Sequence, residues 1–352
     1  MLDQPKYRIL RLSILLTTGL AIFSGNNGSA IETIFFFTLM AVRQNFNFVE
    51  ITQCMGIDET YHEAEGEMKK PTVPDAVFYE AVDAIDTGNL SMLKEILNKY
   101  PDLTSKRLEM PDTGYFKQPY LLWFIANNPI RQEICQPNIS VITKTIIDEI
   151  KTHAPATLQE QLDYTLGLVA TGRIPRESGV QIALIDLLID EGAKPGNANG
   201  AITHGNLGAA RRLIERGGQQ TLSTAICLEQ DSEILRLIKK GTTEEKQIGL
   251  VVASFYGKPD IIKLLIENGV DVNVYLDHSS GFHYHATALH QAVFSGSLES
   301  VKLLVEAGAD LQALDRVYQG TPLGWAKYMQ TEAEDEDAKK RYKLIENYLE
   351  HI

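Results

Sequence analysis

Cysteine is scarce: Cys54, Cys135 and Cys227 are spread over 352 residues. Three thiols so far apart build neither a disulfide framework nor a CxxC metal site, so they read as free thiols, which favours a reducing, cytoplasmic compartment. Basic charge is also in deficit, with 33 Lys and Arg against 46 Asp and Glu and a formal net charge of −13. Nucleic-acid binding needs clustered cations on the phosphates, so that class of partner is excluded, and a solvated acidic surface or a basic protein partner fits better. The motifs of catalysis are missing too. There is no GxSxG, no P-loop, no GxGxxG after a strand and no HExxH. Cys54 with His62, and Cys135 with His153, are chance juxtapositions with nothing nearby to orient them as nucleophile and base. The sequence therefore predicts no enzyme activity and calls for no cofactor. The 44% hydrophobic and 22% charged residues are those of a folded chain.

Long apolar runs are absent as well. The two longest, 12–23 (LSILLTTGLAIF) and 31–42 (IETIFFFTLMAV), each stop short of the roughly 20 residues a simple span requires. Lys6, Arg8 and Arg11 precede the first run, and small residues at Gly28 and Ala30 follow it, in the order of a secretory signal. The second apolar run fits that reading poorly. A membrane-attached or buried helical pair within residues 9–42, giving an exported or membrane-attached protein, is the second reading. An over-extended start, with Met40 or Met68 as the true first residue, is the third. Residues 1–73 are thus set apart as an apolar segment and lead-in, and 74–352 as the folded domain.

Within that domain the chain repeats itself, and a period of 20–50 residues decides an architecture. The segments 88–103, 182–197, 205–218, 232–241, 257–273 and 296–312 share one pattern. Apolar residues fall at i, i+3 and i+4, as at Val301, Leu304 and Val305, which makes one helical face. A glycine follows at 192, 217, 241, 269 and 308, where a helix end takes a left-handed residue. Before each of these helices comes a shorter, Ala-rich one. Ala84, Ala201, Ala225, Ala253, Ala292 and Ala326 share a register, where a small side chain lets neighbouring helices approach.

Thr287-Ala288-Leu289-His290 and Thr321-Pro322-Leu323-Gly324, with Gly269-Val270-Asp271-Val272-Asn273 and Gly308-Ala309-Asp310-Leu311-Gln312, resemble the Thr-Pro-Leu-His and Gly-Ala-Asp-Val-Asn motifs of the ankyrin-repeat family. The match is strong over 244–330, recognisable over 180–243 and only pattern-level over 74–180. The resemblance implies an all-α solenoid of about eight helix pairs that binds a protein or peptide on its concave face. The departures are specific. Gly-to-Gly steps of 25 (192 to 217), 24 (217 to 241), 28 (241 to 269) and 39 (269 to 308) replace a period of roughly 33. The middle repeats should lack the β-hairpin finger, and residues 274–286 should form an enlarged one. Residues 122–140 and 171–179 look like helix pairs opened by insertions, and 331–340 like an interruption of the last pair.

In the family, two variable positions before the mid-repeat glycine face the groove. Here they are Thr203 and His204, Cys227 and Leu228, Phe255 and Tyr256, Phe294 and Ser295, and Tyr328 and Met329. Phe255, Phe294 and Tyr328 then form one column, with Trp325 on the same side of its helix, and large rings at such positions are expected binding anchors. Tyr275, Phe282 and Tyr284 on the finger are expected to contact the partner too. The alternative reading of the rings is an internal core. A second function class rests on the finger histidines. His278, His283, His285 and His290 place four of eight histidines within 13 residues, and His283 with His285 on an extended strand, completed by Asp277, could chelate a metal. The resemblance instead makes His290 a motif residue that holds its turn by hydrogen bonding. The acidic run Glu332, Glu334, Asp335, Glu336 and Asp337 reads as a solvated loop, or as a device that steers a basic partner.

Overall fold

Three of the outer helices begin from a polar residue whose side chain meets orphan N–H groups of the first turn. Asn89, Ser297 and Asp335 each accept a backbone N–H from two or three residues on. Where the finger is missing, the cap takes over the whole connection. Only Gly241 and Thr242 join one pair to the next, and they do so through a capping box. Glu245 N–H donates to Thr242 Oγ1 at 3.1 Å while Thr242 N–H donates to Glu245 Oε2 at 2.8 Å.

The computed structural model describes residues 73–109 and 116–352. The N-terminal readings, with residues 9–42, Met40, Met68, Cys54 and His62, lie outside them. Among the described residues no helix is long and apolar enough to cross a membrane, and no strand is formed. The helices pair in sequence order. α1 (Asp75–Asp86) pairs with α2 (Leu90–Lys99), and a 3-10 segment (Leu121–Ala126) with α3 (Ile139–His153). α4 (Leu158–Thr171) pairs with α6 (Gln181–Asp190), the short α5 (Arg173–Glu177) lying between them. Then come α7 (Asn199–Thr203) with α8 (Leu207–Glu215), α9 (Leu222–Cys227) with α10 (Asp231–Lys240), and α11 (Thr243–Phe255) with α12 (Pro259–Glu267). α13 (Ala288–Ser295) with α14 (Leu298–Glu306) and α15 (Pro322–Glu332) with α16 (Glu336–Glu350) complete an eight-pair solenoid.

The first members pack side by side as one continuous inner row from α1 to α15. The alanine register explains how close they come. All six alanines are at most 1% exposed, and a larger side chain there would have nowhere to go. The outer helices bury one stripe each, as Val301 and Leu304 do in α14, at about 2 kcal/mol per fully buried aliphatic side chain. This row is less regular. Between α10 and α12 a groove of about 290 Å³ opens beside Ile234, Leu235, Ile261 and Leu264.

Two expectations need correction. Gly241 has φ −71° rather than a left-handed value. With no finger to enter, the chain passes straight into the Thr242 cap, whereas Gly217 and Gly308, at φ 94° and 88°, do turn left-handed. The acidic run is neither a loop nor a long interruption. Only 333–335 separate α15 from α16, because Asp335 caps α16 through the N–H groups of Asp337 and Ala338 and the acids after it sit in the first turn, where the helix dipole favours them. The two insertions are real. The 127–138 loop is held by Arg131, which forms a bidentate pair with Asp86 at 2.8 and 2.7 Å, and 173–177 form α5.

Candidate functional site

The inner helices end on the groove side, so the last residues of α7, α9, α11 and α13 form its floor. Phe255 and Phe294 meet there with ring centroids 5.2 Å apart and planes 13° from parallel. Tyr256 packs edge-on against Phe255 and donates its hydroxyl to the Ile202 carbonyl two pairs back. Phe255, Tyr256, Phe294, Ser295 and Tyr328 are all half-buried. Ser295 is committed to its own turn, donating to the Ala292 carbonyl at 2.7 Å and accepting from Ser297 N–H. Burial raises the Tyr256 and Tyr328 phenols above their ordinary range and pushes the Cys227 thiol up to about 12.

Three expected anchors are not surface residues in this chain. Trp325 is 3% exposed, Met329 1% and Phe282 2%. Trp325 turns inward because its indole N–H donates to Asp315 Oδ2 at 3.0 Å and its ring lies against His285 and His290. Phe282 is buried because the enlarged finger does not stand off the array. It folds back over the floor, placing Phe282 edge-on to Phe255 at 5.6 Å and stacking His283 on the same ring at 4.5 Å. Further along, Thr203 Oγ1 donates to the Gly281 carbonyl at 3.2 Å. Thr203, Cys227 and Leu228, expected on an open groove, are buried. Tyr275 and Tyr284 stay half-exposed at the base of the finger.

The histidines do not form the chelate that the alternative reading required. His283 and His285 lie on no strand. His283 takes φ 27°, and the two rings are 5.8 Å apart at 75°. His283 goes to Phe255, His285 to Trp325, and His278 to Tyr284. His290 bridges its own turn and the next repeat, its Nδ1 2.7 Å from Thr287 Oγ1 and its Nε2 3.0 Å from the Gly320 carbonyl. Among the described residues no three His, Cys, Asp or Glu converge on a point that could hold a metal. Burial is the first cause that depresses these imidazoles. It drives His283 well below the ordinary value with help from His285 and His204, and takes His285 down to about 4 against the pull of Asp315. His290 is lowered by burial, which its bond to Gly320 and the Asp315 charge only partly oppose.

Asp315 and Arg316 are the residues that sequence reasoning missed. The Asp315 carboxylate accepts the N–H groups of Val317, Tyr318 and Gly320 besides the Trp325 indole. Arg316 N–H donates to the His285 carbonyl at 2.7 Å, and its guanidinium reaches the carbonyls of Leu276 and Tyr284 and lies over the Tyr275 ring. Together they tie one finger to the next. The available signal was a carboxylate five residues before Gly320-Thr321-Pro322-Leu323, a place where a tight turn needs an acceptor.

A second opening, of about 580 Å³, lies between α4 and the 194–199 connection. Its polar lining includes Asp163, Thr171, Lys194, Asn199 and His204.

A family model agrees with this architecture over part of the chain: described as ankyrin repeats, in three copies, it matches residues 177–315. Among solved structures, the human ASB11 ankyrin repeat domain is similar at 18% identity and a TM-score of 0.30, over 64% of this chain and 96% of that one. No curated protein matches. With Thr287, His290 and Thr321 making the turn contacts of the repeat and eight helix pairs stacked through small residues, the chain is an ankyrin-repeat protein.

Proposed function

We propose that this protein binds a protein or peptide partner along the inner-helix face of residues 200–330 and performs no chemistry of its own. Ankyrin repeats are interaction modules in general. The observation that carries the finer reading is the row of half-exposed rings, Phe255, Tyr256, Phe294 and Tyr328, on three successive inner helices. Aromatic side chains at such positions supply large contact area at low entropic cost and dominate interface energies. Tyr275 and Tyr284 extend the row along the base of the finger. Trp325, Met329 and Phe282 support it from within and do not touch the partner. Cys135 and Cys227 are free and buried, which fits a reducing, cytoplasmic setting.

The test is capture from the native host on the immobilised full chain, wild type against Phe294→Ala/Tyr328→Ala. A protein retained by the first and lost by the second, with affinity down by roughly 2–4 kcal/mol, is the expected result. A melting transition kept by both chains is the control for folding. Equal retention on both would sink the assignment of the site to this face. No second reading is advanced, because the four imidazoles that a metal centre would need point to four different neighbours.

A further inference from the structure

The enlarged finger is fastened in two unlike ways. Its base is pinned by polar contacts, with Arg316 bonded to the carbonyls of Leu276, Tyr284 and His285. Its tip, residues 280–283, is held by ring packing on Phe255 and by one hydroxyl bond from Thr203. The tip is also conformationally stressed. Gly281 and His283 take φ 67° and 27°, and His283 has a Cβ that disfavours such a value. Under this tip lie Thr203 at the end of α7 and Phe255 at the end of α11.

The polar group that the tip buries is an imidazole. His283 is 3% exposed, between Phe282 and Phe255. The titratable groups acting on it are two more imidazoles, His285 on the finger and His204 on α7. Those acting on His285 are Asp315 in the next finger and His290 on α13. Stacking on the Phe255 face would return part of the cost of a charge on His283, but the two neighbouring imidazoles repel it and no water reaches it.

We propose that the finger tip is a strap across the recognition groove that lifts when His283 is protonated, uncovering Phe255 and Thr203. The base stays down, since Arg316 holds it through the carbonyls of Leu276, Tyr284 and His285. That the uncovered floor receives a partner rests on the reading above; the strap itself does not, and it is tested on the chain alone. The sign is fixed by the direction of the shift. A buried imidazole with a depressed pKa holds the strap closed above its ordinary value of about 6.5, and this hold is lost as pH falls below that value. With the closed-state value held well below the ordinary one by burial, the released form gains population as pH falls from about 7.5 to about 5, by at most about 30-fold.

The experiment is amide hydrogen exchange on the full chain at those two pH values, corrected for the intrinsic rate. Peptides covering the tip, 280–283, and the ends of α7 and α11 should lose protection in acid, by at most about 30-fold, while those of α13 and α14 keep theirs. His283→Asn, which removes the titrating group with a residue that tolerates a left-handed backbone, should abolish most of that change. His204→Asn, made from the other side of the contact, should reduce it and guards against a failure of the first variant to fold. Finger protection that does not respond to pH, or a pH response equally large in His283→Asn, overturns the proposal. So does loss of finger and helix protection together, which would be acid unfolding of the array.

Discussion

Replacing His290 by Ala should remove about 3–4 kcal/mol of stability, and the number can be built from its contacts. His290 is fully buried and neutral. Its Nδ1 accepts from the Thr287 hydroxyl at 2.7 Å, and its Nε2–H donates to the Gly320 carbonyl at 3.0 Å. Each such bond contributes about 1 kcal/mol net. Its ring meets Trp325 edge-on at 5.1 Å, an arrangement worth roughly 0.5–1.5 kcal/mol, and the cavity left behind adds the remainder. Because Gly320 belongs to the next repeat, the loss falls on the coupling between α13 and α15 as well as on one turn. Urea unfolding followed by both far-UV circular dichroism and tryptophan fluorescence reads this directly. In the variant the fluorescence transition, to which Trp325 contributes, should move ahead of the helical one, while in wild type the two coincide. The imidazole is held below its ordinary value by burial, so its contribution is complete above about pH 6.5 and declines as pH falls below that. The gap between wild type and variant should therefore narrow in acid. A loss under about 1 kcal/mol, or coincident transitions in the variant, would falsify the claim that this residue couples the two repeats.

Ala253→Leu should cost about 1–3 kcal/mol in chemical denaturation with no loss of helix content before the transition, since the site is fully buried where α11 meets its neighbours; a neutral result would mean that the inner row yields more easily than its packing suggests. Thr242→Ala should remove about 1 kcal/mol by deleting the only cap in the two-residue link between α10 and α11. If its denaturation midpoint were unchanged, the capping box would not be what holds that link.

The helix pairs could be read from the sequence because each rests on a local, repeated signal. The alanine register, the i, i+3, i+4 stripes and the Gly-to-Gly spacings come from residues close in the chain, and all reappear in the stack, including the missing fingers around Gly217 and Gly241. The groove was less legible. Phe255 and Phe294 were placed in one column correctly, because the repeat register carries position from one helix to the next. The burial of Phe282, Trp325 and Met329 was not visible, because it depends on where a 13-residue insertion folds. No periodicity constrains such a segment, and the contact that decides its course, Thr203 with Gly281, joins residues 78 apart. The chelate reading of the imidazole cluster fails for the same reason. Proximity in sequence offered convergence, while Phe255, Trp325 and the Gly320 carbonyl, all from other repeats, drew His283, His285 and His290 apart.

In a stack of repeats, each unit touches only its neighbours, so cooperativity passes along the array link by link and fails at the weakest one. The outer row is weakest where the groove opens between α10 and α12, beside a connection cut to two residues. The folded-back finger spans that seam, since it is anchored by Arg316 on one side and reaches Thr203 on the other. The finger thus adds a second bridge, on the groove side, over a seam that the inner row closes through α9 and α11 and through the Tyr256 hydroxyl on the Ile202 carbonyl.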